Sequence, residues 1–141
     1  MKKELIELVR QRAKMRCEYC RLHQDHVQTP FQFDHVIAEQ HGGKATPKNL
    51  ALACMRCNKN KGPNIASLDP ENSSLTPLFN PRSDEWNEHF VFEGSHVRGT
   101  TPRGRATVRL LGMNDAARVL LRQQLLREGT LTAESNLNVK G

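Results

Sequence analysis

The sequence predicts an α+β protein: a small strand–strand–helix module, stabilised by zinc on four cysteines, followed by a β-hairpin and two helices. Three observations support this fold class. Two Cys-x-x-Cys pairs enclose strand-like segments, a helix-compatible segment follows the second pair, and the C-terminal half contains one hairpin pattern and two helical patterns. We expect residues 1–62 to form the first domain and residues 63–141 to pack on it as an extension.

The composition favours a polyanionic partner and excludes a membrane-spanning protein. The formal net charge of the 141 residues is +6, although a solvated basic surface is the alternative interpretation. Only 37% of the residues are hydrophobic, so we expect a metal to supplement a small core. No apolar run approaches the roughly 20 residues that cross a membrane. No signal-peptide pattern is present, and we expect a cytoplasmic location with no membrane partner.

The first element is a predicted amphipathic helix. Residues 3–15 place apolar side chains at helical spacing, with Lys and Arg between them. This helix leads directly into the first cysteine pair. Its basic face is either solvated or in contact with a phosphate backbone.

The segment between and after the cysteine pairs predicts two strands and a short helix. Residues 31–37 alternate and contain aromatic and β-branched residues, which is typical of a strand. A Gly-Gly pair then indicates a loop, and residues 50–53 predict the returning strand. Residues 56–61 predict a helix that ends at Gly62.

The C-terminal half predicts a connection, a hairpin and two helices. Residues 63–85 are rich in Pro, Asn, Ser and Asp, which indicates a loop. Residues 89–97 predict a hairpin, and residues 103–111 and 114–127 predict helices. The low apolar content of residues 129–141 predicts a frayed terminus.

The cysteines predict a structural metal site. Two residues between thiolates present both sulfurs to one tetrahedral Zn²⁺, and a second pair closes the shell without a position for water. The alternatives are a redox dithiol, unligated buried cysteines, or replacement of a cysteine ligand by His23 or His26. The four predicted zinc ligands are Cys17, Cys20, Cys54 and Cys57.

An adjacent Asp-His pair lies on the first predicted strand. Neighbouring side chains on a strand point to opposite sides, so one of Asp34 and His35 can hold a metal while the other faces a substrate-bound water. Alone, such a pair is more typical of an ordinary surface. The combination favours a functional site, because Asn49 precedes the second strand and Asn58 directly follows the last cysteine.

The two Cys-x-x-Cys pairs, called knuckles below, together with Asp34, His35, Asn49 and Asn58, resemble the zinc-bearing branch of the HNH, or ββα-metal, endonuclease family. The resemblance covers about residues 14–62. The resemblance implies that His35 is the general base. It also implies that Asp34 and Asn58 hold one catalytic divalent metal. Asn49 would orient the loop and His35.

The resemblance implies a hydrolase that cleaves DNA phosphodiester bonds. An imidazole with an unperturbed pKa of about 6.5 can accept a proton from water at neutral pH. A divalent metal can polarise the phosphate and stabilise the leaving oxygen. Asn58 stands where the family pattern names a His, and its oxygen donor favours Mg²⁺ or Mn²⁺ as the catalytic metal.

Several basic side chains are candidate phosphate contacts, with a solvated surface as the alternative. Residues 78–128 resemble an extension that follows the motif in a group of bacterial HNH proteins, which implies no particular role. The candidate nucleic-acid-binding residues are Lys59, Lys61, Arg103 and Arg105.

We expect DNA as the partner, with RNA left open, and either a monomer or a homodimer. Two other function classes compete with the endonuclease. One is a zinc-stabilised nucleic-acid-binding module without cleavage activity, and the other is an interaction protein whose zinc and basic patches serve a protein partner.

Overall fold

The computed structural model describes residues 1–130, and the predicted frayed terminus from residue 131 onward lies outside them. These residues divide into two compact units. The first unit contains Met1–Ile65 and Asn80–Asp84, so a short part of the predicted extension groups with the N-terminal module. The second unit contains Ala66–Phe79 and the described residues from Glu85 onward.

The first unit contains the predicted strand–strand–helix module. Helix α1 spans Lys3–Ala13, strands β1 and β2 span Gln32–His35 and Leu50–Ala53, and helix α2 spans Met55–Lys61. Short 3₁₀ helices cover Gln24–His26 and Glu39–His41. This order of elements confirms the predicted α+β fold class.

Strand β2 is the buried centre of the first unit. All four of its residues are buried, and α1 packs against it with Val9 and Ala13. β1 pairs antiparallel with β2, so that Asp34 is opposite Ala51 and His35 is opposite Leu50. Because neighbouring strand residues face opposite sides, this register separates the environments of the Asp and His side chains.

The second unit begins with a hairpin that the sequence did not predict. Strands β3 and β4 span Ala66–Leu68 and Leu75–Pro77 and pair antiparallel. The prediction of a loop over residues 63–85 is therefore wrong in part. The backbone N–H of Asp69 donates to the carbonyl of Ser74 at 2.9 Å, which closes the turn between the two three-residue strands.

The second unit contains the predicted hairpin and two helices, and also a short helix that the sequence did not predict. This short helix, α3, spans Trp86–His89, and strands β5 and β6 span Phe90–Glu93 and His96–Gly99. Helices α4 and α5 span Pro102–Leu111 and Ala116–Arg127. None of the helices in the described part of the chain is long and apolar enough to cross a membrane.

Aromatic rings form the core of this second unit. The Trp86 ring lies 5.0 Å from that of Phe90 and 5.2 Å from that of Phe92. Phe79 meets Phe90 edge to face at 5.2 Å. These distances are in the range of stabilising aromatic pairs, so contacts between rings contribute to the core of this unit.

Helix α4 packs so closely against the backbone at His89 that a side chain at Gly104 would overlap the carbonyl oxygen of His89. The same carbonyl accepts a hydrogen bond from the N–H of Thr100 at 2.8 Å. Thr101 caps α4 by accepting from the N–H of Gly104 at 3.0 Å. The absence of a Cβ at residue 104 therefore permits this packing.

Gly104→Ala should lower the stability of the chain, although alanine favours helix over glycine by about 1 kcal/mol. The overlap with His89 is expected to cost about 1–3 kcal/mol. Thermal denaturation of the variant and the parent measures the difference. An equal or higher melting temperature for the variant would show that the close approach is not needed.

Candidate functional site

The four cysteines converge on one point. Their Sγ atoms all lie within 4.8 Å of one another and all four residues are buried. The Sγ atoms of Cys20 and Cys54 are 3.8 Å apart. A tetrahedral zinc with Zn–S bonds of about 2.3 Å requires sulfur separations of about 3.8 Å. The cluster is therefore compatible with a structural zinc ion.

The two knuckles are built in the same way. The N–H of Cys20 points at the Sγ of Cys17, and the N–H of Cys57 points at the Sγ of Cys54, both at 3.4 Å. The first knuckle closes when the N–H of Cys17 donates to the carbonyl of Leu22 at 2.8 Å. Hydrogen bonds from the neighbouring thiols lower the pKa of Cys54, whereas burial raises the pKa of Cys17 and hydrogen bonding with the other thiols raises that of Cys57. A metal bound by all four sulfurs would require each of them as a thiolate.

His23 caps a short helix through one of its ring nitrogens. Its Nδ1 accepts a hydrogen bond from the N–H of Asp25 at 3.0 Å and so caps the 3₁₀ helix that begins at Gln24. Among the described residues, the cluster with metal-ligand geometry consists of the four cysteines.

Asp34 lies in the interior and is held by two donors. The hydroxyl of Tyr19 donates to its Oδ2 at 2.6 Å, and the Nζ of Lys61 lies 3.3 Å from Oδ1 and 3.2 Å from Oδ2. Lys61 is only 2% exposed and also donates to the carbonyls of His35 and Val36 at 3.2 and 3.1 Å. Lys61 therefore joins the end of α2 to the end of β1.

This environment affects the protonation of Asp34 and Tyr19. Burial raises the pKa of Asp34, while the charge of Lys61 and the hydrogen bonds from Tyr19 and Lys61 oppose that rise. Burial and the negative charge of Asp34 raise the pKa of Tyr19. The phenol therefore keeps its proton and remains a donor to the carboxylate.

His35 faces the other side of β1, and its side chain is 26% exposed. Its Nε2 atom is shielded and has no hydrogen-bond partner within the described residues. The nearest carboxylate oxygen, Oε1 of Glu39, is 3.7 Å away. An imidazole nitrogen without a partner can accept a proton from a water or substrate group. Sequence reasoning missed Glu39, which follows His35 by four residues.

Asn49 fastens the loop that follows His35. Its Oδ1 accepts from the N–H of Ile37 at 2.9 Å, and its Nδ2 donates to the carbonyls of Ile37 and Lys44 at 2.9 and 3.0 Å. A side chain at Gly43 would overlap the carbonyl oxygen of Ile37 and approach the Asn49 amide. Gly43 therefore leaves the space in which the Asn49 amide makes these bonds.

Asn58 lies on the same face of α2 as Lys61, since the two residues are three positions apart. Its Nδ2 donates to Oε1 of Gln32, which shares a face of β1 with Asp34. The structure thus brings Asn58 and Asp34 to neighbouring positions of one helix–strand pair. With Nδ2 engaged, Oδ1 is the Asn58 atom suited to bind a cation.

The predicted phosphate contacts separate into two kinds. Lys59 is exposed on α2, whereas Lys61 is buried against Asp34. In the second unit, Arg105 makes two hydrogen bonds to the buried Asp69, at 3.0 and 2.8 Å. These bonds lower the pKa of Asp69. Lys61 and Arg105 therefore form structural ion pairs.

Arg103, the remaining predicted phosphate contact, lies in the first turn of α4 and is half-buried. Its backbone carbonyl accepts from the hydroxyl of Thr107 at 2.7 Å. Arg103 belongs to the second unit, whereas Lys59 belongs to the first.

Comparison with known proteins gives two matches. Residues 17–64 match the family described as HNH endonuclease. Over 122 residues, the chain is 25% identical to the Septu protein PtuB of Bacillus thuringiensis, in an alignment covering 85% of this chain and 44% of that relative. The chain thus spans less than half the length of this relative. No solved structure gives a significant match.

Asn49→Asp should destabilise the first unit at least as much as Asn49→Ala at neutral pH. The carboxylate keeps the acceptor for Ile37 but places an oxygen against the carbonyls of Ile37 and Lys44. We expect a loss of about 2–3 kcal/mol of unfolding free energy, measured by denaturant unfolding.

The pH dependence provides the control for this substitution. The ionised form is disfavoured in the fold, so the folded pKa of the new carboxyl lies above its unfolded value of about 4. The deficit relative to the parent should therefore be smallest below pH 4 and grow as the pH rises. A deficit that does not change with pH would contradict this account of Asn49.

Proposed function

We propose that the chain is a metal-dependent endonuclease that hydrolyses phosphodiester bonds of DNA, and the match of residues 17–64 to the HNH endonuclease family supports this. The observation that carries this proposal is the pair of adjacent residues on β1. His35 has an Nε2 without a hydrogen-bond partner in the part of the chain that the structure describes, and Asp34 has a buried carboxylate. Neither a structural zinc module nor a simple binding surface requires that combination.

In the proposed mechanism, His35 removes a proton from the attacking water. Nε2 is the atom that receives it, since this nitrogen has no hydrogen-bond partner among the described residues. Oε1 of Glu39 at 3.7 Å can then stabilise the resulting imidazolium. Asn49 positions this step by fixing the backbone that continues from His35.

Asp34 and Asn58 are the proposed ligands of the catalytic metal. Carboxylate and carboxamide oxygens suit a hard cation, so Mg²⁺ or Mn²⁺ is the proposed ion. When bound, the metal supplies charge stabilisation at the phosphate and the leaving oxygen. Oδ1 of Asp34 has the 3.3 Å contact with Lys61 and keeps lone pairs for a ligand bond, while Tyr19 holds Oδ2.

The four-cysteine cluster is proposed to hold Zn²⁺ with no part in the reaction. Four protein sulfurs fill a tetrahedral shell, which leaves no site for water or substrate. The zinc then acts by holding the knuckles and the start of α2 together, because Cys54 caps this helix and Cys57 lies within it.

Fewer residues are proposed as nucleic-acid contacts than the sequence analysis expected. Lys59 and Arg103 remain proposed phosphate contacts, whereas Lys61 and Arg105 are assigned to ion pairs with Asp34 and Asp69. DNA is the proposed substrate and RNA is the comparison in the assays. A monomer or a homodimer remains the prediction for the assembly.

One observation favours the second candidate function, a nucleic-acid-binding module without cleavage activity. The ammonium of Lys61 contacts both carboxylate oxygens of Asp34 and so competes with a divalent cation for them. If Lys61 cannot be displaced, the chain binds nucleic acid and does not cut it. A cleavage assay separates the two functions.

His35→Ala should abolish cleavage of supercoiled plasmid in Mg²⁺ or Mn²⁺, with a rate loss of about 10²–10⁴ for a removed general base. His41→Ala is the matched control, because His41 is an exposed histidine close to His35 in the chain. The assay measures nicked and linear products on a gel, with a structured RNA in parallel. Undiminished cleavage by His35→Ala would refute the mechanism, and no cleavage by the parent with either metal would favour the binding module.

Metal analysis should find about one zinc per chain in the parent and none in Cys57→Ser, which should also lose its folded circular dichroism signal. His23→Ala is the control that tests ligand identity, because its Nδ1 is engaged by the N–H of Asp25. Zinc retained by Cys57→Ser, or lost from His23→Ala, would contradict the four-sulfur site.

A further inference from the structure

A cavity of about 570 Å³ in the first unit is lined by an unusual concentration of positive charge. Three of its five lining residues are basic, and the other two are prolines. Proline side chains supply no charge to compensate the basic groups. The lining residues are Arg12, Pro47, Lys48, Pro81 and Arg82.

The guanidinium of Arg12 is fixed at the cavity. Its two terminal nitrogens donate to the carbonyls of Pro47 and Leu50 at 2.8 and 2.7 Å. Both acceptors are neutral, so these bonds position the cation without neutralising it. Its Nε is buried and has no hydrogen-bond partner in the described part of the chain.

Arg82 is also held in place, but by a buried carboxylate instead of backbone carbonyls. Its guanidinium pairs with Oε1 of Glu18, whose Oε2 accepts from the N–H of Leu52 at 2.7 Å. Glu18 is 3% exposed and does not line the cavity. The single negative charge of Glu18 therefore offsets part of the positive charge of the lining residues, and the cavity keeps an excess of positive charge.

The two arginines repel each other electrostatically. Burial lowers the pKa of Arg12, and the positive charge of Arg82 lowers it further, while Glu18 opposes both effects. Bringing like charges together in a partly buried place costs free energy, which a bound anion offsets. Lys48 adds a third, exposed cation at the rim.

The cavity is connected through β2 to the strand that contains the proposed catalytic base. The carbonyl that holds Arg12 belongs to Leu50, which is directly opposite His35 in the β1–β2 pair. Paired strands are about 5 Å apart, and a DNA strand carries a phosphate about every 3.4 Å along the helix axis. A nucleic-acid strand engaged at His35 therefore carries further phosphates along its axis, and the cavity is a cationic site of the same unit.

We propose that the cavity formed by Arg12, Lys48 and Arg82 binds a non-scissile phosphate of the nucleic-acid backbone. This inference rests on the proposed endonuclease function. Arginine is suited to the role because its planar fork binds phosphate oxygens in pairs. Such a contact fixes the position of the strand without reading its sequence.

The test uses Lys48, because removal of Arg82 would take away the ion-pair partner of the buried Glu18 and destabilise the fold. Lys48 is exposed, and Lys44 is an exposed lysine of the same loop that does not line the cavity. Lys48→Glu and Lys44→Glu therefore change the net charge equally at neighbouring places.

Binding to a labelled DNA duplex is measured by fluorescence anisotropy with the full chain, in a His35→Ala background that prevents cleavage. We expect Lys48→Glu to weaken binding about tenfold at low salt and to reduce the slope of log affinity against log salt by about 0.9. Lys44→Glu should weaken binding by about twofold or less, because its exposed charge acts only through screened long-range electrostatics.

Equal losses of affinity for the two variants would overturn the proposal. It would also be overturned if titrated inorganic phosphate bound the parent but not Lys48→Glu while both variants bound DNA alike, since the cavity would then be a small-anion site. If the parent cleaves DNA but Lys48→Glu shows no specific loss of DNA affinity, the phosphate-site proposal is refuted and the endonuclease proposal stands. If Lys48→Glu shows a specific loss of DNA affinity but the parent does not cleave, the endonuclease proposal is refuted and the cavity remains a phosphate contact of a binding module.

Discussion

The convergence of four sulfurs within 4.8 Å is the constraint on which the first unit depends. It joins a knuckle that follows α1 to a knuckle that begins α2, across 33 intervening residues of chain. Cys54 illustrates the economy of this arrangement, because one side chain belongs to the cluster and also caps α2. Since Asn58 directly follows Cys57, the position of the candidate catalytic helix is set by the cluster.

Buried ion pairs are the second organising feature, and they divide the basic residues by function. Asp34, Glu18 and Asp69 are buried carboxylates, and each has a basic partner from a distant part of the chain. Removing one partner from such a pair leaves a buried charge, which costs far more than the pair itself contributes. The excess of basic residues thus includes cations that stabilise the fold as well as cations exposed to a partner.

The sequence predicted the parts that local pattern determines. Cysteine spacing and residue alternation identified the module, and Asp34, His35, Asn49 and Asn58 lie on or beside its paired strands and helix. The hairpin over β3 and β4 was missed because three-residue strands between turn-forming residues give little periodic signal. The roles of Lys61 and Arg105 were missed because their partners are 27 and 36 positions away. A single sequence contains no signal for such pairs.

The adjacency of Cys57 and Asn58 has a consequence for enzymology. On the proposed function, loss of zinc from the four sulfurs would release the start of α2 and displace Asn58, the proposed ligand of the catalytic metal. A chelator would then inactivate the enzyme in two ways: removal of the catalytic metal alone would be reversed by magnesium, and removal of zinc would require refolding around zinc. Inhibition by a chelator cannot count the metals in this protein, but the order in which metals are returned can.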